Sequence, residues 1–310
     1  MKRYLFVRVV LLVLNAFLIV SLVYYITTLA MIVRYYSVDL PMWDYMQLAW
    51  ENYTITFERV VVHHEFYRLP NGLTKWDVVM EKIPVSLILN MVSLVIYVPV
   101  GIGLGIISAV YRGKLVDKII SSFSLVLGSV PSFIVIIFMI ILFGFRLDMF
   151  PPLFLWGEWY NQYIIPVASL VLYPIAKIIT TVRGEIIETL ETDEVLLLKA
   201  KGLNRRQIIF RHLFRQSLVS VFPQVTDLFL YVIMMSFIVE KTYQIPGVAK
   251  LFLDSIVVSG EFSNMVNMDL MYVALISAFY ILLILVVNLL NDILATIIDP
   301  RIQLSKNRQL

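Results

Sequence analysis

The chain has 310 residues, of which 60% are hydrophobic and 15% charged, with a mean hydropathy of +0.86 and a net charge of +3. A soluble domain carries about 25% charged residues, so this composition is that of a protein whose solvent is largely lipid. The lack of cysteine excludes disulfides, zinc–thiolate centres and cysteine nucleophiles, and the small net charge gives nucleic-acid binding no support.

Lys2, Arg3 and Arg8 precede an apolar run from Val9 to Val33. The run is longer than a signal-peptide core and no small-x-small cleavage site follows, so it reads as a retained first span. About 20 apolar residues cross a hydrocarbon core. By that measure Val9–Val33, Pro84–Val110, Ile119–Phe143, Tyr163–Val182, Ser217–Val239 and Leu270–Ala295 are six candidate transmembrane helices. Lipid offers no partner to an open backbone, so each is expected to be helical. Pro99 with Gly101, Gly103 and Gly105, and Pro131, Pro174 and Pro223, fall inside spans, where such residues kink helices or let them pack closely.

Basic residues set the orientation. With the N-terminus inside, segments 1–8, 111–118, 177–216 and 296–310 are cytoplasmic and hold 17 of the 25 Lys and Arg. The outer segments carry more acid than base. This is the positive-inside pattern, and it places both termini in the cytoplasm. The expected organisation is all-α: residues 1–33 as N-terminal tip and first span, 34–82 as an extracytoplasmic loop region, 83–302 as a core of five spans, and 303–310 as a cytoplasmic tail. The 34–82 region is rich in aromatics (Trp43, Tyr45, Trp50, Tyr53, Phe57, Phe66, Tyr67, Trp76), suited to the outer membrane interface or to docking a partner.

The cytoplasmic loop at 183–216 is far longer than adjacent spans require, and it carries helix signals. Thr192 can cap a short helix that begins with Asp193 and Glu194 and ends with Lys199 and Lys201, with Gly202 just beyond. Acids at the start and bases at the end complement the helix dipole. Asn204, with Gln207 three positions on, signals a capping box for a second helix. The first helix is too short to span a bilayer yet carries Val195, Leu196, Leu197 and Leu198. It is either an amphipathic helix lying on the inner leaflet or a docking helix seated in a cleft on a cytoplasmic partner. Spacing alone leaves both open.

Asp193-EVLLLKAKGLNRRQIIFRHLFRQ resembles the cytoplasmic signature of the inner-membrane permeases of ATP-binding-cassette importers, nearest the branch that imports dipeptides, oligopeptides or nickel. The resemblance continues in register through Pro99-VGIGLGIISAVYRGKLVD, Ser129-VPSFIVIIFMIILFGFRLDMFP, Glu240-KTYQIPGVAKLFLDSI and Asn288-LLNDILATIIDPRI. It implies the type I importer permease fold, with the 192–203 helix as coupling helix in a groove on an ATPase subunit. On that reading Asp193, Glu194, Val195, Ala200 and Leu203 belong to the coupling helix and Leu196–Leu198 fill the groove. Lys199, Lys201 and Gly202 set its turn, and Arg211 and His212 anchor the start of the fifth span. The chain departs from the pattern at several positions. Leu198 stands where a small residue is usual, and Ser220 where a proline is, with Pro223 three residues later. Tyr231, Met234 and Met235 replace glycines of the fifth span, and residues 34–82 are unlike the family.

The resemblance further implies a second homologous permease, two ATPase subunits and an extracytoplasmic substrate-binding protein as partners in a bacterial inner membrane. The chain itself lacks GxxxxGK[ST], HExxH and GxSxG, so the expectation is a transporter subunit that binds no cofactor, with ATP and Mg on the partner ATPases. Asp227, an acid well inside a predicted span, marks a possible pathway with Tyr231, Met234 and Met235; the bland alternative is a hydrogen bond to a neighbouring helix. His63, His64 and Glu65 read as solvated surface rather than a metal site. Peptide is the expected cargo, with nickel or a metal chelate second; an ATPase-independent channel or scaffold is the alternative of a different class.

Overall fold

The computed structural model describes residues 2–35, 40–63, 65, 68–70, 72–154, 159–258 and 266–298. The expectations placed on His64, Phe66, Tyr67, the stretch from Asp299 and the tail 303–310 lie outside the described residues. Among those described, the fold is helical: α1 (Lys2–Tyr35), α2 (Met42–Phe57), α3 (Lys75–Val110), α4 (Leu115–Ser129), α5 (Ser132–Met139), α6 (Trp159–Thr189), α7 (Asp193–Ala200), α8 (Arg205–Ile208), α9 (Phe214–Thr242), α10 (Val248–Ser255) and α11 (Leu270–Ile298). Single π-helical turns follow α2, α5 and α8. An antiparallel pair of three-residue strands, β1 (Ile256–Val258) and β2 (Val266–Met268), pairs Ile256 with Met268.

Among the described residues, five helices are long and apolar enough to cross a membrane: Val13–Val33, Lys75–Val110, Gln162–Thr189, Val221–Thr242 and Leu270–Leu294. The sixth expected span, Ile119–Phe143, is not one straight helix. It is α4 and α5 bent by 103°. The break falls at Val130, which is extended, before Pro131. Proline removes a backbone donor and pushes its predecessor out of the helical region, so the helix must restart there.

Contacts divide the chain into two units, Met1–Leu87 with Ile245–Leu285 and Ile88–Gln244 with Val286–Leu310. In the first, the aromatic stretch anticipated as loop contains α2, which folds back on α1. Ile32, Tyr45 and Ala49 form their shared core. Tyr24 donates to Thr56 (2.9 Å) and Tyr53 to Ser21 (3.0 Å). Phe17 meets Phe57 edge-on at 5.8 Å, so the aromatics serve helix pairing as well as any interface. In the same unit Lys75 pairs with Asp269, and the Ser86 hydroxyl accepts from the Val248 amide at the start of α10.

In the second unit α6 is the central helix, packed against α4, α5 and α9. The glycines of α3 let it approach closely. A Cβ on Gly101 would lie 2.7 Å from the Ile178 Cβ, and one on Gly105 2.8 Å from the Val182 Cβ. Buried Tyr97 of α3 donates to the Val225 carbonyl of α9 (3.2 Å). Asn291 of α11 donates to the Phe222 carbonyl and to Thr226 (3.1 Å), tying that helix to α9.

Candidate coupling surface and pathway face

The short helix α7 is set by its ends. Thr192 sits at the N-cap, but its side chain does not cap. Its hydroxyl donates instead to the Thr189 carbonyl (2.8 Å), finishing the turn that ends α6. At the other end Gly202 takes φ +82°, a left-handed conformation that glycine enters without strain. The Gly202 amide bonds the Lys199 carbonyl (2.9 Å) and the Leu203 amide bonds the Leu198 carbonyl (3.3 Å), the paired closure of a Schellman motif. Asn204 and Gln207 then form the full capping box, each side chain accepting from the other's backbone at 2.9 Å. The chain therefore reverses between α7 and α8 through a fixed turn.

One side of α7 is committed inward: Val195 is 1% exposed and Leu198 is half-buried. The other presents Leu196 and Leu197, 53% and 65% exposed, with Asp193, Glu194, Lys199, Ala200 and Lys201 also exposed. Of the residues placed in the coupling helix, Val195 is thus the one not available to a partner. Leu203 is half-buried, and Arg211 is exposed in the π-helical turn Ile209–Leu213, which also contains the His212 backbone.

A polar network that sequence reasoning missed holds this surface to the α3–α4 turn. Arg183 of α6 forks onto Asp117 of α4 with Nε and Nη2 at 2.7 and 3.0 Å. The same carboxylate accepts from Ser108 (2.5 Å), the Gly113 amide (2.8 Å) and Ser121 (3.2 Å). With Asp117 buried, this is a satisfied ion pair rather than a bare charge. Nearer α7, Arg112 reaches Glu191 (2.7 Å), Arg205 donates to the Ala109 carbonyl (2.8 Å), and Arg206 donates to the Tyr111 hydroxyl (2.6 Å) while lying over its ring. Burial, and after it the charge of Arg112, draw Arg205 below its ordinary value. Lys199 adds a bond to the Leu190 carbonyl (3.4 Å). The one sequence signal was an acid four residues after Gly113 in a helix's first turn. Its partner is 66 residues away, and no local pattern names it.

The candidate pathway residues meet on α9. Tyr231 contacts Ser132, the first residue after the bend, and its ring lies 4.4 Å from that of Tyr173 on α6. Asp227 and Met234 are exposed and Met235 is half-buried. Asp227 makes no hydrogen bond or ion pair among the described residues, so the neighbouring-helix bond considered for it is absent there. A charge inside a span facing lipid costs up to about 3 kcal/mol at the centre, so this face requires protein or water beside it. Lys177, counted above with an inner segment, lies within α6 on an exposed face, over the Tyr173 ring at 5.5 Å. His63 faces Glu58 at 3.8 Å, both exposed.

Comparison with known proteins gives the class. Residues 101–304 match the family of binding-protein-dependent transport system inner membrane components, and the chain belongs to that family. It is a multi-pass permease subunit of a transport system, not an enzyme. The dipeptide transport system permease protein of Lactococcus lactis subsp. cremoris is 28% identical, across 98% of this chain and 100% of its own length. The dipeptide permease protein of Bacillus subtilis is 31% identical (74% of this chain, 71% of the relative), as is the oligopeptide permease protein of Haemophilus influenzae (73% and 71%). A solved inward-facing structure of the MetNI methionine ABC transporter superposes with a TM-score of 0.57 at 13% identity, covering 73% of this chain and 100% of that one, a likeness of fold.

Proposed function

We propose that this chain is the permease half-pathway of an ATP-driven importer of short peptides, pairing with a second, similar permease. The observation that carries the reading is α7: two adjacent exposed leucines on a rigidly capped helix, braced through Arg112, Arg205 and Arg206 against the α3–α4 turn. A helix lying free on a leaflet has no use for such bracing, whereas a helix that must transmit force needs it. Leu196 and Leu197 seat in a groove on an ATPase subunit, flanked by Asp193, Glu194, Lys199, Ala200, Lys201, Gly202 and Leu203, with Arg211 and His212 at the root of the fifth span. Two such ATPases hold the ATP and Mg, so this chain needs no cofactor of its own. With both termini cytoplasmic, as the distribution of Lys and Arg favours, an extracytoplasmic binding protein delivers cargo on the opposite side. ATP binding closes the ATPase pair. The brace passes that motion to α4 and α6 through Asp117 and Arg183, and the face bearing Asp227, Tyr231, Met234 and Met235 opens outward.

The names of the relatives favour peptide over nickel as cargo. The test is uptake of a labelled dipeptide by the complete importer in liposomes. The expected result is uptake that requires ATP and falls at least tenfold with Leu197→Asp, which puts a charge into an apolar groove. Uptake that ignores ATP would return the protein to the channel class.

A further inference from the structure

α6 and α9 run antiparallel, and two contacts fix their register. The Tyr173 ring meets that of Tyr231 at 4.4 Å, and eight residues further along α6 the Thr181 hydroxyl donates to Gln224 (2.9 Å), seven residues back along α9. Halfway between these contacts lie Lys177 on α6 and Asp227 on α9. The two charges are therefore level. Both are exposed, and neither pairs with the other or with any other charge among the described residues. Each also lies inside an apolar span: Lys177 is about 18 Å from the Thr189 end of Gln162–Thr189, and Asp227 about 9 Å from the Val221 end of Val221–Thr242. Opposite unpaired charges inside spans are costly beside lipid and mark a route or a binding face. Around them the surface is graded, with two tyrosines on one side and a hydroxyl–amide pair on the other.

We propose that Lys177 and Asp227 form a two-ended clamp on this face that reads the free carboxylate and the free ammonium of a short peptide in transit. This rests on the peptide reading above and narrows it to zwitterionic cargo with both ends intact. Charge complementarity supplies the argument. Lys177 holds the carboxylate as a compact cation and Asp227 accepts from the ammonium, two charge-assisted hydrogen bonds.

The experiment compares uptake by the complete reconstituted importer of a free dipeptide, its N-acetylated form and its C-terminal amide. Uptake is corrected for the affinity of the binding protein for each, and ATPase stimulation by loaded binding protein serves as the check on assembly. Asp227→Asn is expected to lower free-dipeptide uptake about tenfold and to erase discrimination against the N-acetyl form only. Lys177→Gln should do the same for the amide only, while Asp227→Glu and Lys177→Arg retain selection. If the wild-type importer takes up none of the three, the peptide reading itself fails. If it transports them and the variants leave both discriminations unchanged, or relax both alike, the two residues are a structural pair and the clamp is refuted.

Discussion

Asp117 accepts from Arg183, Ser108, Ser121 and the Gly113 amide, all donors that would be left facing one another without it. Asp117→Asn keeps the shape and removes the charge, and should destabilise the protein by about 2 kcal/mol. A double-mutant cycle with Arg183→Gln, read by thermal unfolding of the purified protein, should return a clear coupling energy; additive effects would show that the pair holds nothing. These residues were not legible beforehand. Asp117 is one acid in the cytoplasmic segment 111–118, and ion pairing across 66 residues leaves no periodic trace. Leu196 and Leu197 were legible, since four apolar residues in a charged loop demand an explanation. Their division from Val195 was not, because which side of a two-turn helix faces inward depends on packing by distant segments.

Among elements, the clearest local signals lie at the ends of α7 and α8. Gly202 was expected just past the helix, and it stands at φ +82° closing a Schellman turn; Asn204 and Gln207 were expected to cap, and both bonds form. Gly202→Ala should cost about 1 kcal/mol, since a Cβ disfavours that conformation even where, as here, nothing lies nearby to clash. Unchanged unfolding would mean that the turn re-forms another way. Gly101 is the opposite case: its φ is ordinary, but a Cβ would press on Ile178 at 2.7 Å. Gly101→Ala should destabilise by about 1–3 kcal/mol by forcing α3 from α6, and an unchanged melting temperature would contradict that close packing. The sequence placed Pro131 within a span but not the 103° bend, because a proline sets where a helix breaks while packing decides how far it turns. Helix α2 was missed because aromatic residues serve a membrane interface and a helix pair equally well, and composition does not separate them.

At the scale of the whole molecule, six apolar stretches and a family resemblance stated on five motifs led to the right class, since lipid leaves a chain few ways to fold. What remained hidden was the working surface: the brace behind α7 and the levelled charges of Lys177 and Asp227, which appear only once α6 and α9 are set in register. The central claim is that α7 seats its leucines on a separate ATPase. The chain contains no cysteine, so a Leu197→Cys variant carries one unambiguous thiol. Short-span thiol cross-linking of this variant, in the assembled importer with cysteines introduced along the ATPase surface, tests the claim directly. The account predicts a cross-linked permease–ATPase product whose yield shifts when ATP is added, with Phe138→Cys, exposed on α5, giving none. A Leu197→Cys thiol that forms no such product in an assembly still hydrolysing ATP would contradict it.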